Sequence, residues 1–114
     1  MSKALRLPNH RDAEVRQQKV KDYLLSPTHP IGKAKAVWFR ALGYSQDDWT
    51  YLRDDLLNFA KHDAVVLDQT EYGQLYGVSG PLIGPNGNAG QVLTIWIIIV
   101  GTANPRLVTA YPDE

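Results

Sequence analysis

The stretch HPIGKAKAVWF, His29 to Phe39, sets an imidazole, a proline, a glycine and two lysines directly ahead of an apolar run. Histidine exchanges a proton at about pH 6.5 and ammonium groups attract anions, so the combination suits acid–base chemistry on an anionic substrate. It suits equally a helix entrance whose charges only point at water. Spacing separates the two lysines. Lys35, Phe39 and Leu42 fall at i, i+4 and i+7 on one helical stripe, whereas Lys33 aligns with Val37 and Arg40 on a mixed face. Lys35 can lay its stem along apolar surface with the ammonium at the rim, which is also a common structural role. Near the other end, alternation puts Leu107, Thr109 and Tyr111 on one face of an extended segment, and Arg106, Val108 and Ala110 on the other. Thr109 and Tyr111 can thus offer two hydroxyls to one ligand, although both are ordinary strand formers. Arg106, after Pro105, reaches either that rim or solvent. His10 and Asp12 match a base and its orienter in type, within the turn-like LPNHRD entry.

Other chemistries are excluded or unsupported. The chain has no cysteine, which removes thiol nucleophiles, thiolate metal sites and disulfides, and fits a reducing compartment. There is no phosphate-binding P-loop, dinucleotide glycine fingerprint or nucleophile elbow. GPNGNAG lacks the lysine and following helix of a phosphate cradle and reads as a hairpin loop. His10, His29 and His62 sit at no metal-ligand spacing, so neither metal nor cofactor is expected. Asp47, Asp48, Asp54 and Asp55 lie mostly off the Trp49, Leu52, Leu56, Phe59 stripe and read as a solvated face.

The elements that must position these groups follow from periodicity. A helix is expected over about Arg16–Leu25, with Val20, Tyr23 and Leu24 on its stripe, and SPTHP stops it, holding His29 in a stiff turn. A second runs from about Ile31 to Leu42 and closes at Gly43. A third follows Ser45, whose spacing to Asp48 is a capping-box variant, and ends near His62. Beyond Asp63 the pattern turns extended. AVVL, GQLYGVSGPLIG, GQVLTIWIIIV and RLVTAYP read as four strands joined by short turns, with the long apolar strand central. The expected fold is α+β: N-terminal helices packed on a four-stranded antiparallel sheet, helices first and then a β-meander.

With 114 residues, 44% of them hydrophobic, the chain suits one domain over 1–114, helical over about 12–62 and sheet over about 64–112. Net charge is zero, yet the average hides a split. Through Arg40 nine basic residues face three acidic ones, and from Ala41 onward three basic face nine acidic. Such asymmetry fits an anion-binding face, complementary surfaces within or between molecules, or simply two solvated faces of opposite bias. No signal peptide is apparent, and VLTIWIIIV is under half the length of about 20 residues that a membrane helix needs, so a cytoplasmic protein without membrane association is expected.

The segments LPN, KVKDYLL, HPIGKAKAVWFRALGY, TEYGQLYGVSGPLIGPNG and PRLVTAYP resemble a family of small bacterial proteins described as a domain of unknown function. The most specific part is HPxGxxKAxxFxxLG, met by His29, Pro30, Gly32, Lys35, Ala36, Phe39, Leu42 and Gly43. Similar segments end large adhesin-like proteins that carry toxin modules. The order of elements also resembles the barnase, EndoU, colicin and RelE group of metal-independent ribonuclease toxins. That resemblance implies a catalytic set of His29, Lys35, Thr109 and Tyr111, with Lys33 and Arg106 binding substrate. His29 would be acid or base, Lys35 would stabilise the phosphate, Thr109 and Tyr111 would position it, and a second proton-transfer group is unassigned. It further implies an RNA substrate and a small acidic antitoxin or immunity protein as partner. The alternatives are a non-catalytic protein-binding or assembly module, in which Lys35 is a structural rim residue, and nucleic-acid binding without cleavage.

Overall fold

The structure, a computed structural model, describes residues 5–30 and 33–113, with Leu5 and Lys33 described through their backbones alone. In chain order it has a short strand β1 (Leu5–Arg6), a 3-10 turn at His10–Asp12, then three helices, then four long or medium strands. The helices are α1 (Gln17–Lys19), which continues as a π-helical turn over Val20–Leu24, α2 (Lys33–Ala41) and α3 (Trp49–Phe59). The strands are β2 (Asp63–Gln69), β3 (Gly73–Ile83), β4 (Ala89–Ile99) and β5 (Arg106–Pro112), paired antiparallel in sequence order. Apart from β1, the helices precede the strands, as the change of period at Asp63 requires.

The sheet has one strand more than the alternation pattern suggests. Two residues just ahead of the turn-like entry pair antiparallel with β2, Leu5 opposite Ala64 and Arg6 opposite Asp63. A two-residue strand carries no periodicity of its own, and its partner makes it. Eight residues later the same segment meets the opposite edge: the Glu14 N–H donates to the Pro105 carbonyl at 2.8 Å and the Leu107 N–H to the Glu14 carbonyl at 3.0 Å. The N-terminal segment therefore satisfies backbone groups at both sheet edges, where open edges invite pairing with other chains.

The core lies between the helices and one sheet face. On β4, Val92, Thr94 and Trp96 are buried, and Phe39, Leu52, Leu56 and Phe59 cover them from the helices. Thr94 is the polar member of this layer. Its hydroxyl donates to the Val78 carbonyl at 2.8 Å and accepts the Trp96 indole N–H at 2.8 Å. Thr94→Val keeps the shape but leaves that indole hydrogen without an acceptor. The expected loss is about 1–3 kcal/mol, read as a lower denaturant midpoint at unchanged slope. An unmoved midpoint would show that the network contributes nothing.

Strand β5 departs from simple alternation. Thr109 faces Ile95, but Leu107 faces Trp96, so a bulge leaves Val108 unpaired. Leu107 and Ala110 consequently both reach the core, and Leu107 does not share the face of Thr109 and Tyr111 as strict alternation requires. Those two hydroxyl residues stand on the far face, opposite Ile95 and Leu93.

The connection between β3 and β4 is a hairpin loop with a second role. The Asn86 and Asn88 side chains each donate to the Ala41 carbonyl at 3.1 Å, and the Asn86 N–H to the Leu42 carbonyl at 3.3 Å. These carbonyls are orphans at the end of α2, so the loop caps the helix. Gly43 turns the chain out of α2 with φ of 100°, a left-handed conformation that glycine adopts freely. At the start of α3 the Ser45 hydroxyl accepts the Asp48 N–H at 3.3 Å, half of the expected capping box. Asp47, Asp48 and Asp54 are exposed, but Asp55 is not part of a solvated face. It accepts the buried Tyr44 hydroxyl at 2.6 Å, and burial, with that carboxylate beside it, pushes the Tyr44 phenol far above its usual range. Among the described residues, no helix is long and apolar enough to cross a membrane.

Candidate functional site

The site begins at the end of the first helical stretch. The Leu25 N–H donates to the Val20 carbonyl at 2.9 Å, a five-residue step that widens the last turn into a π-helix. Widening lets Val20, Leu24 and Leu25 all bury, and it places Tyr23 at the edge of the core rather than on its stripe. Such π-turns recur at functional sites. Ser26, itself buried, then accepts the N–H groups of Thr28 at 3.3 Å and His29 at 3.1 Å. The turn that holds His29 is thus fixed by a hydroxyl as well as by its prolines. The imidazole packs edge-on against Tyr23, with ring centroids 4.9 Å apart.

Lys35 projects from α2 to the same place. Its ammonium donates to the Tyr23 hydroxyl and, at 3.1 Å, to the Thr109 hydroxyl. It lies 5.9 Å from the Tyr111 ring centroid. The helical stripe explains the placement: Ala36 and Phe39 are buried, and half-buried Lys35 continues their line to the β5 edge. Since Thr109 and Tyr111 occupy the sheet face away from the main core, the lysine reaches them around that edge strand.

The phenol of Tyr23 responds to these neighbours. Burial pushes its pKa up, but hydrogen bonds from Lys35 and Thr109 and the charges of Lys35 and Lys19 outweigh it, leaving the phenol below its ordinary value. A group whose ionised form is stabilised in this way is a better proton donor than free tyrosine.

Beside the cluster opens a cavity of about 650 Å³. Tyr23 and His29 form part of its wall, Arg16, Lys19 and Arg106 supply cations, and Ile97 and Ile99 an apolar floor. Asp22 is the acidic residue of its lining. An open, mainly cationic concavity with an apolar floor suits an anion carrying a flat apolar group. Arg106 is partly engaged, its Nε lying 3.5 Å from the Glu14 carboxylate.

Of the expected residues, the structure brings together Lys35, Thr109 and Tyr111, with His29 joined to them through Tyr23, and Arg106 lines the same cavity as Tyr23 and His29. The Lys33 side chain lies outside the described residues. His10 and Asp12 belong to the 3-10 turn, and His10 lines a separate cavity of about 510 Å³ with Arg6, Arg11 and Lys61. Tyr23 is the residue that sequence reasoning assigned to packing. Its spacing to Lys19, one helical turn back, was the available signal, since the Lys19 ammonium lies 5.1 Å from its ring. Among the described residues, no group of three or more His, Asp or Glu side chains is arranged to hold a metal ion.

Fold and site together define a small α+β protein with a lysine–hydroxyl cluster beside a cationic cavity. The chain belongs to the family described as domain of unknown function DUF6883, whose model matches residues 6–114. No curated protein matches it. Its fold is similar to that of a chain in the contact-dependent growth inhibition toxin–immunity protein complex from Klebsiella pneumoniae 342, with a TM-score of 0.71. The likeness covers 93% of this chain and 97% of that one at 16% identity, so it is a likeness of fold.

Proposed function

We propose that the protein is a metal-independent ribonuclease toxin, acting as one domain and cleaving RNA by acid–base chemistry. The observation that carries this reading is the meeting of Lys35 from α2 with Thr109 from β5, at a Tyr23 ring that also carries His29 into a cationic cavity. Cleavage at a 2′-hydroxyl needs a base, donors for the charge developing on phosphate, and an acid for the leaving oxygen. His29 is the proton-transfer group, Lys35 the charge stabiliser, Thr109 and Tyr111 the positioning hydroxyls, and Arg106 and Lys33 substrate contacts. An RNA target sets the cytoplasm as the place of action. A small acidic antitoxin or immunity protein fits the cationic rim, and the similar fold comes from a toxin–immunity protein complex.

The test is RNA breakdown in EDTA. Wild-type protein is expected to degrade tRNA, rRNA or mRNA, and folded His29→Ala to leave them intact. Equal survival of all three RNAs with both proteins would remove the catalytic assignment. A second reading, a non-catalytic binding module, is favoured by one observation: on β2, Val65 and Leu67 are 64% and 47% exposed, apolar surface that a partner protein could cover. In that case Lys35→Met lowers the melting temperature, and no RNA is lost with any variant.

A further inference from the structure

We propose that Tyr23 is the second proton-transfer residue, the acid that protonates the leaving 5′-oxygen while His29 serves as base; this rests on the ribonuclease reading above. The geometry of the phenolic oxygen carries it. Lysine ammonium has donors and no acceptor, so the Lys35–Tyr23 hydrogen bond must run from Nζ to the phenolic oxygen. Thr109 accepts from the same ammonium at 3.1 Å, and its neighbouring hydroxyl helps hold the Tyr23 phenol below its ordinary value. The ammonium cannot accept the phenolic hydrogen, and Tyr23 is a wall residue of the cavity beside His29. A phenol whose oxygen accepts from a fixed ammonium keeps its own hydrogen to donate, and on the cavity wall that hydrogen can turn toward whatever occupies the cavity.

The step balances. An imidazole nitrogen of His29 takes the proton of the 2′-hydroxyl as that oxygen attacks phosphorus. The bond from phosphorus to the 5′-oxygen breaks, its electron pair stays on that oxygen, and the Tyr23 proton joins it. The products are a 2′,3′-cyclic phosphate and a free 5′-hydroxyl. Lys35 and Thr109 stabilise the phenolate left behind. Proton exchange with water then restores His29 and Tyr23.

Two RNA dinucleotides decide the matter, one with the natural 5′-oxygen at the scissile phosphate and one with sulfur there. A thiolate, with a thiol pKa of about 8.5, departs without protonation, so its release needs no acid. Tyr23→Phe is expected to lose about 10²- to 10⁴-fold on the oxygen substrate and to recover toward wild type on the sulfur substrate. His29→Ala is expected to be impaired on both. Wild type should also show a descending alkaline limb on the oxygen substrate, with its midpoint below the ordinary tyrosine value of 10.0. The sign follows because the acid must be protonated, so rate falls as pH rises through its pKa. That limb should be absent with the sulfur substrate, a comparison that needs no variant and stands if Tyr23→Phe does not fold. Equal loss on both substrates, or an alkaline limb common to both, would overturn the role of Tyr23 while leaving the ribonuclease reading intact. Wild-type protein inert on RNA and on both dinucleotides would overturn the ribonuclease reading and the Tyr23 role with it.

Discussion

Lys35→Met is expected to lower RNA cleavage by about 10²- to 10³-fold, the usual consequence of losing one oriented donor to a developing oxyanion. Methionine keeps an unbranched stem along the stripe of Ala36 and Phe39, so the change removes the ammonium and spares the packing. Tyr23 and Thr109 lose a shared donor at a half-exposed position where water can replace it, and the stability cost should stay near about 1 kcal/mol. Cleavage and stability are thus expected to separate. A third readout belongs to Tyr23. Burial raises that phenol, and the Lys35 bond and charge are leading contributions on the lowering side. Removing the ammonium should therefore move the tyrosine titration upward, seen as phenolate ultraviolet absorbance appearing at higher pH than in wild type. Unchanged cleavage with a raised titration would leave Lys35 as a partner of Tyr23 alone. A large fall in melting temperature with no RNA chemistry in either protein would make it the rim residue of a binding module.

The parts of this molecule that sequence discloses are those in which one residue type repeats at one period. The stripe of Phe39 and Leu42 places Lys35 correctly because a helix keeps its phase over two turns. Thr109 and Tyr111 are correctly paired on one face for the same reason at period two. Their relation to Leu107 is not, because the bulge at Val108 inserts one residue and reverses the phase, and nothing local in RLVTAYP announces it. Tyr23 fails similarly: a π-turn shifts the side chains after Val20, and the burial of Leu25 that drives it depends on contacts from elsewhere in the fold. Strand β1 and the Glu14 bridge are defined by their partners alone. Asp55 reads as one acid among several until Tyr44 is found against it. Each miss concerns a residue whose place is set by a distant segment. That also explains why the candidate proton donor escaped a reading that found its lysine and threonine neighbours.

Gly84→Val is expected to be the most damaging single change to the scaffold behind the site, at about 3 kcal/mol, the upper end of overpacking costs. A Cβ at Gly84 would stand 1.9 Å from the Leu42 carbonyl oxygen and 2.6 Å from the Leu42 Cβ. Neither can retreat cheaply, since the oxygen is backbone at the end of α2 and Leu42 is buried. The hairpin loop must lift instead, and lifting it takes Asn86 and Asn88 away from the Ala41 carbonyl. Helix α2 then loses its cap at the end opposite Lys35, about 10 Å along the axis at 1.5 Å per residue. Gly87 in the same loop provides the control. Its φ is 88° and a Cβ there meets nothing within 4 Å, so Gly87→Asn, a residue that tolerates the left-handed region, should leave the denaturation midpoint nearly unchanged. The difference between the two variants isolates the contact between loop and helix from the backbone freedom of glycine. If Gly84→Val and Gly87→Asn unfold at the same denaturant concentration, the loop does not clamp α2, and the position of Lys35 depends on its hydrogen bonds to Tyr23 and Thr109 instead.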